Sequence, residues 1–179
     1  MMNKALEVIE AYFLFGVAPE QIEVVIHPQS VIHSMVQFVD GSVVAQLGTP
    51  DMKVPIAYGM SWPERIESGA ARLDFRAMGD FSFESFDSID HQRRYPGLKL
   101  AFEALKAHSG TTAVLNAANE VAVEAFLQRQ IRFDQIHRVN LDTLDRSTFE
   151  SPRNLGDLLA LDAGARRTAQ EVILRLDHG

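Results

Sequence analysis

The hydrophobic period of this chain changes twice, and that limits it to a mixed architecture. Apolar residues run through Ala5–Phe15 with no Pro or Gly before Gly16, as in a helix. Between Ile22 and Leu47 β-branched runs take over, and from Leu98 helical spacing returns and persists. This order predicts an α+β chain: one helix, an antiparallel hairpin sheet, an extended connector and a small C-terminal helical bundle.

In the first segment Asn3 is the expected N-cap and Gly16 the C-cap region, with Pro19 preventing continuation. Val8, Ile9, Tyr12, Phe13, Leu14 and Phe15 make this helix apolar nearly all round, the mark of a buried helix. In the second, Ile22–Ile26 is a strand stopped by Pro28. Val31–Val39 and Ser42–Leu47 flank Asp40-Gly41, a two-residue hairpin signal. Pairing about that dipeptide sets Phe38 opposite Val43 and Val36 opposite Ala45. A sheet this apolar on both faces wants cover on both sides, by a helix and by a second subunit.

Gly48–Met52 is a turn leading into a short helix near Val54–Met60. From Gly69 to Pro96 there is no sustained helical period, and Phe75, Phe81, Phe83 and Phe86 lie among Asp, Ser and Gly. This reads as an extended connector pinned by its aromatics. Leu98, Ala101, Phe102 and Leu105 open the bundle. Thr111 or Thr112 caps its second helix, Phe133–Leu144 forms a third, and Leu155–Leu161 leads into Ala165–Leu176. Short loops favour antiparallel neighbours. The expected layout is 1–68, 69–96 and 97–179.

With 179 residues and 46% hydrophobic content, the chain can bury a core. A net charge of −7 with dispersed Lys and Arg argues against a nucleic-acid surface. No Cys excludes disulfides and thiolate metal sites and fits a cytoplasmic setting. The N-terminus lacks a signal-peptide pattern, and no apolar run is long enough to span a membrane.

Asn3, Lys4 and Glu7 occupy neighbouring turns of one helix face. Backbone N–H groups and Lys4 suit a phosphate, and Glu7 suits a hard divalent cation. The same residues also read as a helix start with a solvated i,i+3 ion pair. His27 and His33 flank a bend and lack an obvious third metal partner. His33 is the candidate catalytic residue, contacting or orienting substrate, and is equally readable as a hydrogen-bonded histidine. Met52 and Trp62 have packing as their plain alternative, preferred for Trp62. Asn116, Asn119 and Glu120 form a polar spot whose simpler role is to knit bundle helices together.

Five stretches together carry a resemblance: Met1–Ala11 with its Asn-Lys-Ala-Leu-Glu, Ile26–Met35, Gln46–Met52, Arg94–Ala101 and Leu115–Glu120. They resemble 1-deoxy-D-xylulose-5-phosphate reductoisomerases, in order and over essentially the whole chain, specifically their carboxy-terminal part. The resemblance implies an NADPH-dependent isomeroreduction of a pentulose phosphate to methylerythritol phosphate in isoprenoid-precursor synthesis. It implies a Mg²⁺ or Mn²⁺ ion held by carboxylates, and a homodimer. Asn3 and Lys4 match phosphate and substrate contacts, Glu7 a substrate contact and the third metal carboxylate, and Met52 lies in the turn beside the cofactor. Ala5 departs from the Gly common there, a mild change. The cofactor domain, two metal carboxylates and the phosphate-binding serines lie upstream in the family. No Gly-x-Gly-x-x-Gly fingerprint occurs in these 179 residues. The chain alone is therefore expected to be inactive; the alternative function is a non-enzymatic oligomerisation module.

Overall fold

The computed structural model describes residues 2–77, 79–86 and 88–176. Two compact units emerge, Met1–Glu23 with Asp87–Gly179 and, between them, Val24–Phe86.

The first unit is helical. It comprises α1 (Met2–Phe15), a 3-10 turn (Pro19–Gln21), α3 (Ile89–Arg94), α4 (Pro96–Lys106), α5 (Thr111–Leu127), α6 (Gln135–Arg146) and α7 (Leu155–Leu176). Val114 and Ala117 of α5 pack with Leu144 near the end of α6 and with Leu161 and Ala165 of α7. At the other end Ala125 and Phe126 meet Ile136, Val172, Ile173 and Leu176. Thus α5 and α7 run parallel, with α6 antiparallel to both. Helix α4 packs against α5 and carries α1. Leu98 and Leu115 are the largest fully buried side chains.

Helix α1 is amphipathic rather than buried all round. Ala5, Val8 and Ile9 are buried, whereas Phe13, Leu14 and Phe15 are 65–76% exposed. Ala5 and Val8–Ile9 project from one face at helical spacing, and only that face meets α4. Asn3 is not the N-cap, because the helix already includes Met2; Met1 lies outside the described residues. Gly16 ends α1 as expected, at φ +64° with its N–H bonded to Tyr12 O at 3.0 Å. Neither Thr111 nor Thr112 caps α5. Gly110 does, at φ +98°, and a Cβ there would press on Leu161 and Pro152. Gly110 N-terminal to the helix frees Thr111 to donate its hydroxyl to His108 O at 2.8 Å.

The expected connector contains one helix, α3. Ser88 caps it, its hydroxyl accepting from His91 N at 3.2 Å, and His91, Arg93 and Arg94 in the last turn suit the negative helix end. Leu155–Leu176 is one continuous helix, running through Gly164 without a break.

The second unit holds β1 (Val25–Ile26), β2 (Ile32–Gln37), β3 (Val43–Leu47), α2 (Lys53–Ser61) and β4 (Glu84–Ser85). β1 pairs antiparallel with β4, not with the hairpin, so the described residues form two separate two-stranded sheets. His27 and Gln29 fasten residues 80–83 beside β1. His27 stacks on Phe81 and Phe83 at 5.5 and 5.0 Å, and its Nδ1 donates to Ser82 O at 3.0 Å. The Gln29 amide donates to Asp80 O and Ser82 Oγ.

In the β2–β3 hairpin the register differs from expectation by one residue: Val36 faces Val44, Gln37 faces Val43 and Met35 faces Ala45. Phe38 and Ser42 close a three-residue loop. Gly41 takes φ +84° and donates to Phe38 O at 2.9 Å, the type I turn plus left-handed residue of a bulged hairpin. Asp40 accepts from Ser42 N and Oγ, which favours that geometry over a two-residue turn. Val36, Val44 and Phe38 line one face, Met35 and Val43 the other, and all are at least 43% exposed.

Candidate functional site

Along α1, the buried residues Ala5, Val8 and Ile9 seat the helix and leave the Asn3–Lys4–Glu7 side facing solvent. Lys4 Nζ donates to both Glu7 carboxylate oxygens, at 2.9 and 2.8 Å, with both side chains more than half exposed. As a stabilising contact this pair is worth under about 1 kcal/mol. Its chemical content is greater: an ammonium, a carboxylate and an amide share the positive end of a helix anchored from behind.

The second unit places two further sequence-chosen residues. His33 is exposed at the start of the hairpin, its Nε2 lying 3.2 Å from Gly48 O. A carbonyl oxygen only accepts, so Nε2 carries the proton and donates. Met52 is 69% exposed at the entry to α2. The turn before it is held by Gly48 N–H on Val31 O at 3.0 Å and Thr49 Oγ1 on Ala71 O at 3.0 Å. Asp51 accepts from Lys53 N at 2.9 Å and lies 3.3 Å from its ammonium; the Lys53 backbone bond is the main cause holding that carboxyl below its usual range. Sequence reasoning passed over Asp51 and Thr49; the Asp-x-Lys spacing at a helix start was the available signal. The packing role expected for Trp62 reduces to an edge contact with Tyr58 at 5.5 Å, with Trp62 69% exposed. No residue of α2 itself is buried.

Asn119 and Glu120 do knit the bundle, while Asn116 donates to Glu120 within α5 at 3.1 Å. Asn140 Nδ2 of α6 donates to Asn119 Oδ1 at 3.3 Å in a buried contact, and Arg166 of α7 donates to Glu120 at 2.6 Å and to Asp162 at 2.7 Å. The Arg166 hydrogen bond holds the Glu120 carboxyl below its ordinary value, ahead of the contribution from Asn116. Arg166 is raised in turn, chiefly by Asp162 and then by Glu120. Arg166 went unnoticed in the sequence because Glu120 lies 46 residues away.

Among the described residues no group of three or more His, Asp or Glu side chains is arranged to hold a metal ion. No helix there is long and apolar enough to cross a membrane. Glu7 is thus one potential ligand, not a site complete in itself.

Residues 47–168 match the family model for the DXP reductoisomerase C-terminal domain. The 1-deoxy-D-xylulose 5-phosphate reductoisomerase of Ralstonia nicotianae is 58% identical over 173 residues, covering 97% of this chain and 43% of that protein. The Pseudomonas aeruginosa PAO1 enzyme is 52% identical over 175 residues, 98% of this chain and 43% of its own length. Among solved structures, the Zymomonas mobilis reductoisomerase in complex with NADPH superposes with a TM-score of 0.85 at 46% identity, over 97% of this chain and 45% of that one. A DOX-P reductoisomerase in complex with NADPH, fosmidomycin and magnesium superposes with a TM-score of 0.89 at 43% identity, over 100% of this chain and 45% of that one. The chain therefore spans under half the length of the relatives it matches. Over that span, sequence and fold agree throughout: the chain belongs to the 1-deoxy-D-xylulose 5-phosphate reductoisomerase family.

Proposed function

We propose that this chain is the carboxy-terminal part of an NADPH- and divalent-metal-dependent isomeroreductase. The enzyme converts 1-deoxy-D-xylulose 5-phosphate to 2-C-methyl-D-erythritol 4-phosphate in the cytoplasm. In that reading the chain contributes the end of the catalytic domain (1–68), a linker (69–96) and the helical domain (97–179). The observation that carries it is the Asn3–Lys4–Glu7 set, exposed on the first turns of a helix whose opposite face is buried. The reductoisomerase structures with bound NADPH, or with magnesium, lend the cofactors.

Asn3, Lys4 and the first N–H groups of α1 bind the substrate phosphate, so that a remote anchor orients the reacting carbons. Glu7 contacts the metal and the substrate oxygens it binds. A bound divalent ion polarises the adjacent carbonyl and hydroxyl oxygens. One exposed carboxylate does not fit such an ion unaided, so the residues described here supply a single ligand of a shared set. Met52 lines the cofactor side and His33 serves the substrate–cofactor cleft. The assay that tests this is NADPH oxidation with the pentulose phosphate. The 179-residue chain is expected to give no turnover, and the full-length enzyme to give metal-dependent turnover. Turnover by the purified chain alone, free of full-length enzyme, would refute the division of labour.

The hairpin supports a homodimer. Its two apolar faces leave Val36, Phe38, Val43 and Val44 at least half exposed, a poor state for a two-stranded sheet. In the intact protein Val44→Lys is expected to weaken dimerisation at least about tenfold, because it buries a charge at an apolar interface. Sedimentation velocity over a concentration series measures this. A wild-type protein that stays monomeric throughout excludes the dimer.

A further inference from the structure

His33 occupies an irregular place in β2. Ile32 pairs with Leu47, but Ser34 pairs with Gln46, so two steps on β2 oppose one on β3 and His33 is the extra residue of a bulge. Bulges re-aim the side chain they carry. Here the imidazole is turned along the strand end, where Nε2 reaches Gly48 O at 3.2 Å. The Gly48 N–H is held by Val31 O at 3.0 Å, so residues on either side of Ile32 grip both ends of one glycine. A Cβ on Gly48 would lie 3.6 Å from Gln46 Nε2 and 3.9 Å from His33 Nε2, ordinary contact, so the grip is close without being crowded. Beyond Gly48 the chain is tied at Thr49 and Asp51 and then presents Met52 to solvent.

We propose that His33 is a positioning residue, a strut whose Nε2–H holds the Gly48 carbonyl and sets the path of the Gly48–Met52 turn. In that role Nε2, the nitrogen that points away from its own backbone, is committed to a main-chain oxygen and does not exchange protons with substrate. The consequence for cofactor binding rests on the role proposed above for Met52; the strut itself does not.

Two measurements on the chain as it stands test the strut. Nitrogen-15 NMR of the imidazole is expected to find the Nε2–H tautomer. Hydrogen exchange at the bonded amides of Gly48 and Asp51 is expected to quicken about fivefold in His33→Ala, the loss of one net hydrogen bond. His33→Gln, whose amide nitrogen can occupy the Nε2 position, is expected to stay within about twofold. An Nδ1–H tautomer, or unchanged exchange in His33→Ala, overturns the proposal. In the full-length enzyme His33→Ala is expected to raise KM for NADPH about fivefold or more. His33→Gln is expected to restore it and to leave the pH–rate profile unshifted. If Gln is as damaging to kcat as Ala and an ionisation disappears from the profile, His33 is a proton-transfer residue and the strut reading fails. If the strut is present but KM for NADPH does not move, the link to the cofactor is wrong. Glu7→Gln in the same assay reports separately on the reductoisomerase site.

Discussion

Glu7→Gln in the full-length enzyme is expected to raise the metal concentration needed for half-maximal activity about tenfold or more and to lower kcat, while the protein stays folded. Gln keeps the length of the side chain and the helix propensity of α1 but removes the charge that a hard cation requires. Folding survives because Glu7 is exposed and its only described partner is Lys4. Lys4→Ala has a different signature. It removes a charge-assisted bond to the phosphate, so KM for the sugar phosphate is expected to rise about tenfold with the metal requirement little changed. A plain surface ion pair predicts that both variants are nearly silent. Steady-state kinetics against metal and against substrate separate the cases, and a Glu7→Gln enzyme within twofold of wild type on both would remove Glu7 from the site.

The largest loss of stability is expected in the helical unit. Leu115→Ala removes one of its two largest fully buried side chains, at 0% exposure in the second turn of α5, and should cost about 2–5 kcal/mol. Leu127→Ala, at the end of the same helix and 73% exposed, should change stability by less than about 0.5 kcal/mol. Both replacements have the same chemistry and similar helix propensity, so the difference isolates burial. Helical circular dichroism followed through a urea titration measures it. Equal midpoints for the two variants would mean that α5 is not the centre of this core.

Much of this fold was legible before any coordinates. The helical segments show in their spacing because a helix seated on a neighbour must be apolar every three or four residues, and α5 obeys that from Val114 to Phe126. Gly16 marks the end of α1 for a local reason, the left-handed backbone that glycine adopts cheaply. The candidate site was legible in the same way, since Asn3, Lys4 and Glu7 lie within two turns and need only a helix to bring them together.

What escaped the sequence was everything set by partners distant along the chain or by small differences between turn geometries. Asp40-Gly41 serves a two-residue turn and the end of a three-residue loop equally well. The choice fell to the Asp40–Ser42 bonds and moved the pairs from Ser34–Gln46 to Gln37–Val43 by one. The apolar tail Phe13–Phe15 resembles a buried helix until α4 is seen to cover only the face of Ala5, Val8 and Ile9. Glu120 reads as part of a polar spot that knits helices, but its partner Arg166 is visible only once α7 packs against α5. His33 reads equally as a substrate contact and as a hydrogen-bonded histidine, and its contact with Gly48 O appears only in the irregular register beside it. Periodicity and local propensity are properties of the chain's own geometry and are written in it. Registers, ion-pair partners and the exposed side of a helix depend on which surfaces meet, and only the tertiary structure decides that.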